Sequence, residues 1–297
     1  MGTHGGLRYI GACAPFLLAV ALHSAPQQDD AAALLAKAAA AFRHNQENEK
    51  HWNWNITETR TLVNKAGSPV QKFPSVTSES VIRGDGRRCD AVISWGDGKR
   101  PYLRDADPEA RCQAMDAVRP PFQISPLLQT TRVKLVERTA NAITLAIVPD
   151  KSPDKSRLRT TDFAERCAAA IQATVKLDPV TFFPLYMEGE VTGSGCDAAF
   201  APIVHYETRD RGPMKSNFRK GSTFRVEYSL QKDKFGSPAN SFWISASQYY
   251  SQPWDSDNTI LIYWGRQFAV LRPAHRLIKE VRTTAQEFGA GSELLFK

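Results

Sequence analysis

The spacing of apolar residues changes character at about residue 50. Between Ala31 and Phe42 the positions Leu34, Leu35, Ala38 and Phe42 fall on one helical face. Asp29 and Asp30 stand where an N-cap and a favourable dipole partner belong. The polar run His44 to Lys50 breaks that stripe and predicts the end of the helix. Strict alternation then sets in. Trp52, Trp54 and Ile56 interleave with Asn53, Asn55 and Thr57, and the pattern continues to Leu62. Both tryptophans therefore belong to one strand face, and the asparagines mark the other as polar.

Turn chemistry divides the rest of the chain into short segments. Ala66-Gly67-Ser68-Pro69, Gly84-Asp85-Gly86 and Gly96-Asp97-Gly98 bound strands predicted over 76–83 and 88–95. Residues 99–128 lose the rhythm, and Pro120, Pro121 and Pro126 oppose regular strands there. Strand signals return over 131–138, 142–148, 167–178, 182–191, 203–208, 223–231, 241–250 and 259–270. Leu277 to Phe288 fits a helix or a last strand equally well. A meander of neighbouring antiparallel strands in one β-rich domain is the expectation.

The N-terminus alters the expected location. Arg8 is the only charged residue before Asp29, and Ala12 to Leu22 is apolar. A small-residue exit follows at Ala19-Val20-Ala21 or His23-Ser24-Ala25. These are the parts of a secretory signal peptide, placed over 1–25 with a single domain over 26–297. The expected location is the periplasm or the extracellular space. Cys13 precedes the apolar core, so Ile10-Gly11-Ala12-Cys13 is a poor lipobox. Cys89, Cys112, Cys167 and Cys196 remain, and exported cysteines favour disulfides. Sequence-local pairing would join Cys89 to Cys112 and Cys167 to Cys196, with other pairings open. No CxxC spacing or nearby histidine supports a metal site.

Charge narrows the partners modestly. The chain has 38 basic and 31 acidic residues, for a net +7 that falls to +6 once Arg8 is removed. The basic residues are scattered among acids, which does not describe a nucleic-acid surface. Attraction to an anionic lipid or glycan surface fits an exported protein better. No apolar run is long enough for an integral membrane helix.

Catalytic patterns are sparse. The chain lacks GxSxG, HExxH, a Walker A loop and GxGxxG. His44, His51, His205 and His275 lie in separate segments, and no serine is singled out beside them. Glu188 and Glu190 share a strand face, which describes two solvent-facing acids better than a glycosidase pair. Asn55-Ile56-Thr57 is a formal glycosylation sequon. No cofactor, metal or catalytic residue is expected. What remains is aromatic and apolar content on strands with few helices to cover them, a composition suited to an apolar ligand cavity.

The order of export segment, amphipathic helix, Trp52-Asn53-Trp54-Asn55-Ile56-Thr57-Glu58 and meander resembles the periplasmic lipoprotein carrier and sorting superfamily, the LolA/LolB-like group. The hairpin Ala173 to Leu185, with Asp178-Pro179 at its turn, resembles that group as well. The resemblance implies a mainly β fold with one or two helices, built on a single curved antiparallel sheet. That sheet forms an open half-barrel with helix cover. It also implies a non-catalytic protein that binds a lipid, a lipoprotein acyl chain or a similar amphiphile. Trp52, Trp54, Ile56, Leu35, Phe42 and Tyr186 are the ligand-binding residues expected on this reading. The alternatives are an envelope structural or sensor protein with a protein partner, and an exported hydrolase with an unrecognised site.

Overall fold

The computed structural model describes residues 26–48, 52–82, 88–96, 127–128, 130, 132–149, 167–193, 220–232, 242–253, 260–264, 267–272 and 274–287. Among the described residues, the long helix α1 (Pro26–Asn48) precedes thirteen strands. These are β1 (Trp52–Val63), β2 (Pro69–Lys72), β3 (Val76–Ile82), β4 (Arg88–Trp95), β5 (Val133–Arg138), β6 (Ile143–Ile147) and β7 (Ile171–Leu177). They continue as β8 (Pro184–Val191), β9 (Thr223–Gln231), β10 (Phe242–Pro253), β11 (Ile260–Trp264), β12 (Gln267–Leu271) and β13 (Arg276–Glu287). The signal segment 1–25, Cys112, Cys196, His51, His205 and the strand expected over 203–208 lie outside the described residues.

An 11-stranded antiparallel sheet dominates, in the order β4-β3-β1-β13-β10-β9-β8-β7-β6-β5, with β2 paired to β1. Its two edges, β4 and β5, do not meet, so the sheet is open. This is the expected mainly β fold on one antiparallel sheet. The connectivity corrects the simple meander, because β13 runs between β1 and β10 and joins an N-terminal set of strands to the meander β5–β10. Leu277 to Phe288 was ambiguous because Leu277, Ile278 and Val281 suit either period. Pairing on both sides selects the strand. The expected strand over 259–270 is instead the hairpin β11–β12, a separate two-stranded ribbon.

Alternation decides which face is buried. β6 and β7 bury every second side chain, from Ile143, Leu145 and Ile147 to Ile171, Ala173, Val175 and Leu177. Met187 and Val191 of β8 and Phe224 and Val226 of β9 extend this face. Ala31, Leu34, Leu35, Ala38 and Ala39 of α1 pack onto it. Burying a leucine such as Leu35, 1% exposed, contributes about 2 kcal/mol. The opposite face of the same strands is polar: Lys176, Glu188, Glu190, Arg225 and Glu227 are exposed there.

The helix is longer than its apolar stripe at both ends. It starts at Pro26, a residue suited to a first turn, and runs through His44 to Asn48. The polar C-terminal turn is not a solvated stop, because Asn45 is buried and hydrogen-bonded to β10.

Two turns show how local sequence supports the sheet. The side-chain Oδ1 of Asn64 accepts from Ala66 N at 2.9 Å and Ser68 N at 3.0 Å, closing the β1–β2 turn around Gly67 with φ of 83°. In the β7–β8 turn, Asp178 Oδ1 accepts from Val180 N, Thr181 N and Thr181 Oγ1. Burial acts to raise the Asp178 carboxyl, but the Thr181 and Val180 donors outweigh it and hold it below its ordinary range. Phe182 sits at φ of 59° in this turn, with the Lys37 ammonium 4.7 Å from its ring centroid.

Candidate functional site

The concave face of β1 carries, in order, Trp54, Ile56, Glu58, Arg60 and Leu62, two residues apart and therefore all on one side. Register with β13 sets Trp54 opposite Ala285, Ile56 opposite Thr283, Glu58 opposite Val281, Arg60 opposite Lys279 and Leu62 opposite Leu277. β10 adds Gln248 opposite Val281 and Tyr250 opposite Lys279. The face thus runs from an aromatic end through a charged middle to the buried Leu62.

The charged middle is an ion triad. Glu58 Oε1 lies 2.6 Å from Arg60 Nε, and Glu58 Oε2 lies 2.9 Å from Lys279 Nζ. Burial acts to raise the Glu58 carboxyl, but Arg60 and Lys279 outweigh it and hold the group below the ordinary carboxylate range. Burial, with Arg60 beside it, pushes the Lys279 ammonium down against the pull of Glu58. Tyr250 is 2% exposed, and burial followed by the Glu58 charge pushes its phenol well above the usual value. It stays neutral and donates to Gln248 Oε1 at 2.7 Å. Buried charges persist where they are paired and hydrogen-bonded, and this group meets that condition.

Toward Trp54 the sheet parts. β10 pairs with β13 only from Ser247 to Pro253, whereas β13 follows β1 up to Glu287. A register shift between Ser245 and Ser247 in the β9–β10 pairing marks the departure. The Asn45 side chain occupies part of the vacated backbone edge. It donates to Trp243 O at 2.8 Å and accepts from Trp243 N at 2.6 Å. Around this anchor Phe183 is stacked between Phe42, at 6.0 Å, and Trp243, at 5.2 Å, with Tyr228 edge-on at 5.3 Å. On the far side of the parting, Trp54 meets Phe242 edge-on at 6.1 Å, and Phe242 and Ile244 form a separate buried cluster with Trp54 and Ala246.

The residues expected to bind ligand therefore occupy different settings. Trp54 and Ile56 share the concave β1 face and are half-buried. Trp52 lies on the same face at its register position opposite Glu287, and its side chain is outside the described residues. Leu35 is wholly within the helix core, and Phe42 packs against that core and the aromatic stack. The described ring contact of Trp54 is with Phe242 of β10. Tyr186 is on the polar face, where its hydroxyl donates to Glu188 Oε2 at 2.5 Å. Burial and that carboxylate push its phenol up to about 12. The structure does not bring Tyr186 together with the others. Glu188 and Glu190 are solvent-facing, and no cluster of three metal-binding side chains occurs among the described residues. Cys167 is buried and disulfide-bonded.

Sequence reasoning missed Asn45, Lys279 and Gln248. A signal for the triad was present in Glu58 and Arg60, two charges continuing the buried parity of Trp54 and Ile56.

No family model and no curated protein matches the chain. Some solved structures share weak overall likeness with the chain. A putative outer membrane lipoprotein-sorting protein domain from Vibrio parahaemolyticus is 10% identical, with 89% of this chain and 100% of that chain covered and a TM-score of 0.34. A LolA superfamily protein from Nitrosomonas europaea is 8% identical, covering 90% and 97%, with a TM-score of 0.30. The Pseudomonas aeruginosa MucA/MucB complex is 13% identical, covering 90% and 97%, with a TM-score of 0.21. Among the described residues no helix is long and apolar enough to cross a membrane.

Proposed function

We propose that this is an exported protein which holds an amphiphile, a lipid or the acyl chains of a lipoprotein, on the concave face of β1 and β13 and catalyses no reaction. One observation carries the reading: the helix core ends at Tyr250 of β10, leaving Trp54 and Ile56 half-buried beyond it. In this proposal, the acyl portion lies along Trp54, Ile56 and Phe242, beside the parting between β10 and β13. The Glu58–Lys279 pair, with Lys279 at 17% side-chain exposure, faces the polar end. Each methylene moved from water into such a site contributes about 0.8 kcal/mol, so a medium-length chain suffices for micromolar affinity. The domain bounds in this reading are 26–297, after a signal at 1–25. All described strands except β11 and β12 belonging to one sheet support that single unit.

Titration of delipidated protein with a fatty acid, followed by tryptophan fluorescence, tests the proposal. A saturable shift that weakens in Trp54→Phe, with the melting transition retained, is the expected result. Absence of a saturable change with fatty acid, lysophospholipid or a lipopeptide overturns it.

A further inference from the structure

At the end of the sheet remote from Trp54, the β1–β2 hairpin and the β11–β12 ribbon approach one another around a pocket of about 280 Å³. Leu62, Val70, Gln71, Val270, Arg272 and His275 line it. Leu62 is fully buried, whereas Val70 is 52% and Val270 37% exposed. Two of the large apolar residues that the described chain leaves exposed therefore stand at one place. Lys65, Lys72 and Arg272 are exposed around them.

Basic residues predominate in the two stretches that line this pocket. No aspartate or glutamate occurs from Thr59 to Ser78, nor from Asn258 to Lys279. The first stretch contains Arg60, Lys65 and Lys72, and the second Arg266, Arg272, Arg276 and Lys279. Arg60 and Lys279 are turned to Glu58, and Arg276 donates to Ser251 Oγ and Gly221 O, which leaves the exposed cations to solvent. Among the described residues no salt bridge engages Lys65, Lys72 or Arg272.

The ribbon adds apolar area of an unusual kind. Its paired residues are Ile260–Trp264 and Gln267–Leu271, and Gln267 alone is not hydrophobic or aromatic. Alternation assigns Ile260, Ile262 and Trp264 to one face and Leu261 and Tyr263 to the other, so both faces are apolar. A ribbon laid on the protein body can hide only one of them. Tyr263 and Trp264 close β11, and these residue types prefer the membrane–water interface.

We propose that this end of the sheet, comprising β2, the β11–β12 ribbon and the Arg272–His275 turn, docks on an anionic phospholipid bilayer surface. Val70 and Val270 enter the interfacial layer with the apolar ribbon while Lys65, Lys72 and Arg272 face the lipid phosphates. Exposed apolar side chains beside exposed cations match that surface in both polarity and charge. The docking surface lies at the end of the sheet remote from Trp54, meets the concave face only at Leu62, and does not depend on amphiphile uptake there.

Flotation of the full chain with vesicles of phosphatidylglycerol and phosphatidylcholine in equal parts, against phosphatidylcholine alone, is the test. Binding to the anionic vesicles only, declining as salt is raised, is expected. The triple variant K65E/K72E/R272E should bind more than about tenfold more weakly, each basic residue near the surface being worth several-fold. Its circular dichroism melt should match that of the parent, since all three side chains are exposed. Parent and variant share the apolar Ala12–Leu22 segment, so a difference between them reports on the patch. Equal binding by the two, equal binding to neutral vesicles, or no binding to either overturns the proposal. So does a Val70→Glu variant that alters oligomeric state while vesicle binding stays unchanged, because the patch then joins copies of the chain.

Discussion

The carboxamide of Asn45 takes the place of a strand beside Trp243, giving one hydrogen bond to its carbonyl and receiving one from its amide. A helix terminus is thereby fixed to the sheet at the level where β10 leaves β13. Asn45→Ala would orphan both buried backbone groups, and a loss of about 2–3 kcal/mol in urea unfolding is expected. Asn45→Asp still accepts from Trp243 N at neutral pH but cannot donate to Trp243 O. It should fall well short of wild type, and a fully stable aspartate variant would contradict the two-bond geometry.

The Glu58 triad predicts a specific acid dependence. The folded pKa of Glu58 lies below its unfolded value, so its pairing stabilises fully above about pH 4.3 and is lost as pH falls through the folded pKa. Glu58→Gln leaves Arg60 and Lys279 without their shared carboxylate, for an expected loss of about 3–5 kcal/mol at pH 7. The slope of stability against pH on the acid side should flatten in the same variant. Denaturant melts at a series of pH values measure both effects.

How much of this was legible beforehand depends on the range of the interaction. The alternation from Trp52 to Leu62 is local, and β1 appears with nearly those bounds. The Asn64–Ser68 and Asp178–Phe183 turns follow from residues whose side chains bond their own backbone. Asn45 gave no such signal, because a polar residue in a terminal helical turn looks solvated until a distant strand meets it. Lys279 became a partner of Glu58 only through the insertion of β13 beside β1. The split of β11 from β12 was hidden because both segments are apolar apart from Gln267, and only Gly265-Arg266-Gln267 interrupts the run. Tyr186 illustrates the reverse problem: its aromatic character suggested a lining position, whereas the parity of Met187 assigns it to the polar face.

Gly189 is required by close approach. A Cβ there would lie 2.6 Å from Gln172 O and 2.7 Å from the Phe224 ring. The carbonyl belongs to the neighbouring strand and cannot yield without disturbing the β7–β8 ladder, while Phe224 is buried in the helix core. Gly189→Ala should therefore destabilise by about 3 kcal/mol, read as a shift in the urea midpoint. Phe224→Leu in the same background should recover part of that loss.

Cys167 is already disulfide-bonded, and local pairing predicts Cys196 as its partner and Cys89–Cys112 as the second bridge. Non-reducing peptide mapping should recover both. Each bridge closes a loop of a length worth about 3 kcal/mol in the chain-entropy view, so reduction should lower the unfolding midpoint markedly. Crossed pairs or free thiols would contradict the local assignment.

Leu35 and Trp54 separate packing from binding most sharply. Leu35 is 1% exposed within the helix core, so Leu35→Ala creates a cavity among Ala31, Ala38 and the β6–β8 side chains. A loss of about 2–5 kcal/mol is expected, with amphiphile affinity of the folded protein unchanged. Trp54 lies outside that core, and its described ring contact is the edge-on one to Phe242. Trp54→Phe preserves an aromatic ring against Phe242 while shortening the half-buried surface offered beyond it. Its stability should drop by less than that of Leu35→Ala, and its fatty-acid affinity should drop by about tenfold, the equivalent of roughly 1.4 kcal/mol. Calorimetric titration alongside denaturant melts resolves the two quantities. If Leu35→Ala weakens binding while Trp54→Phe leaves it intact, the ligand lies under α1 and the concave β1 face is only packing.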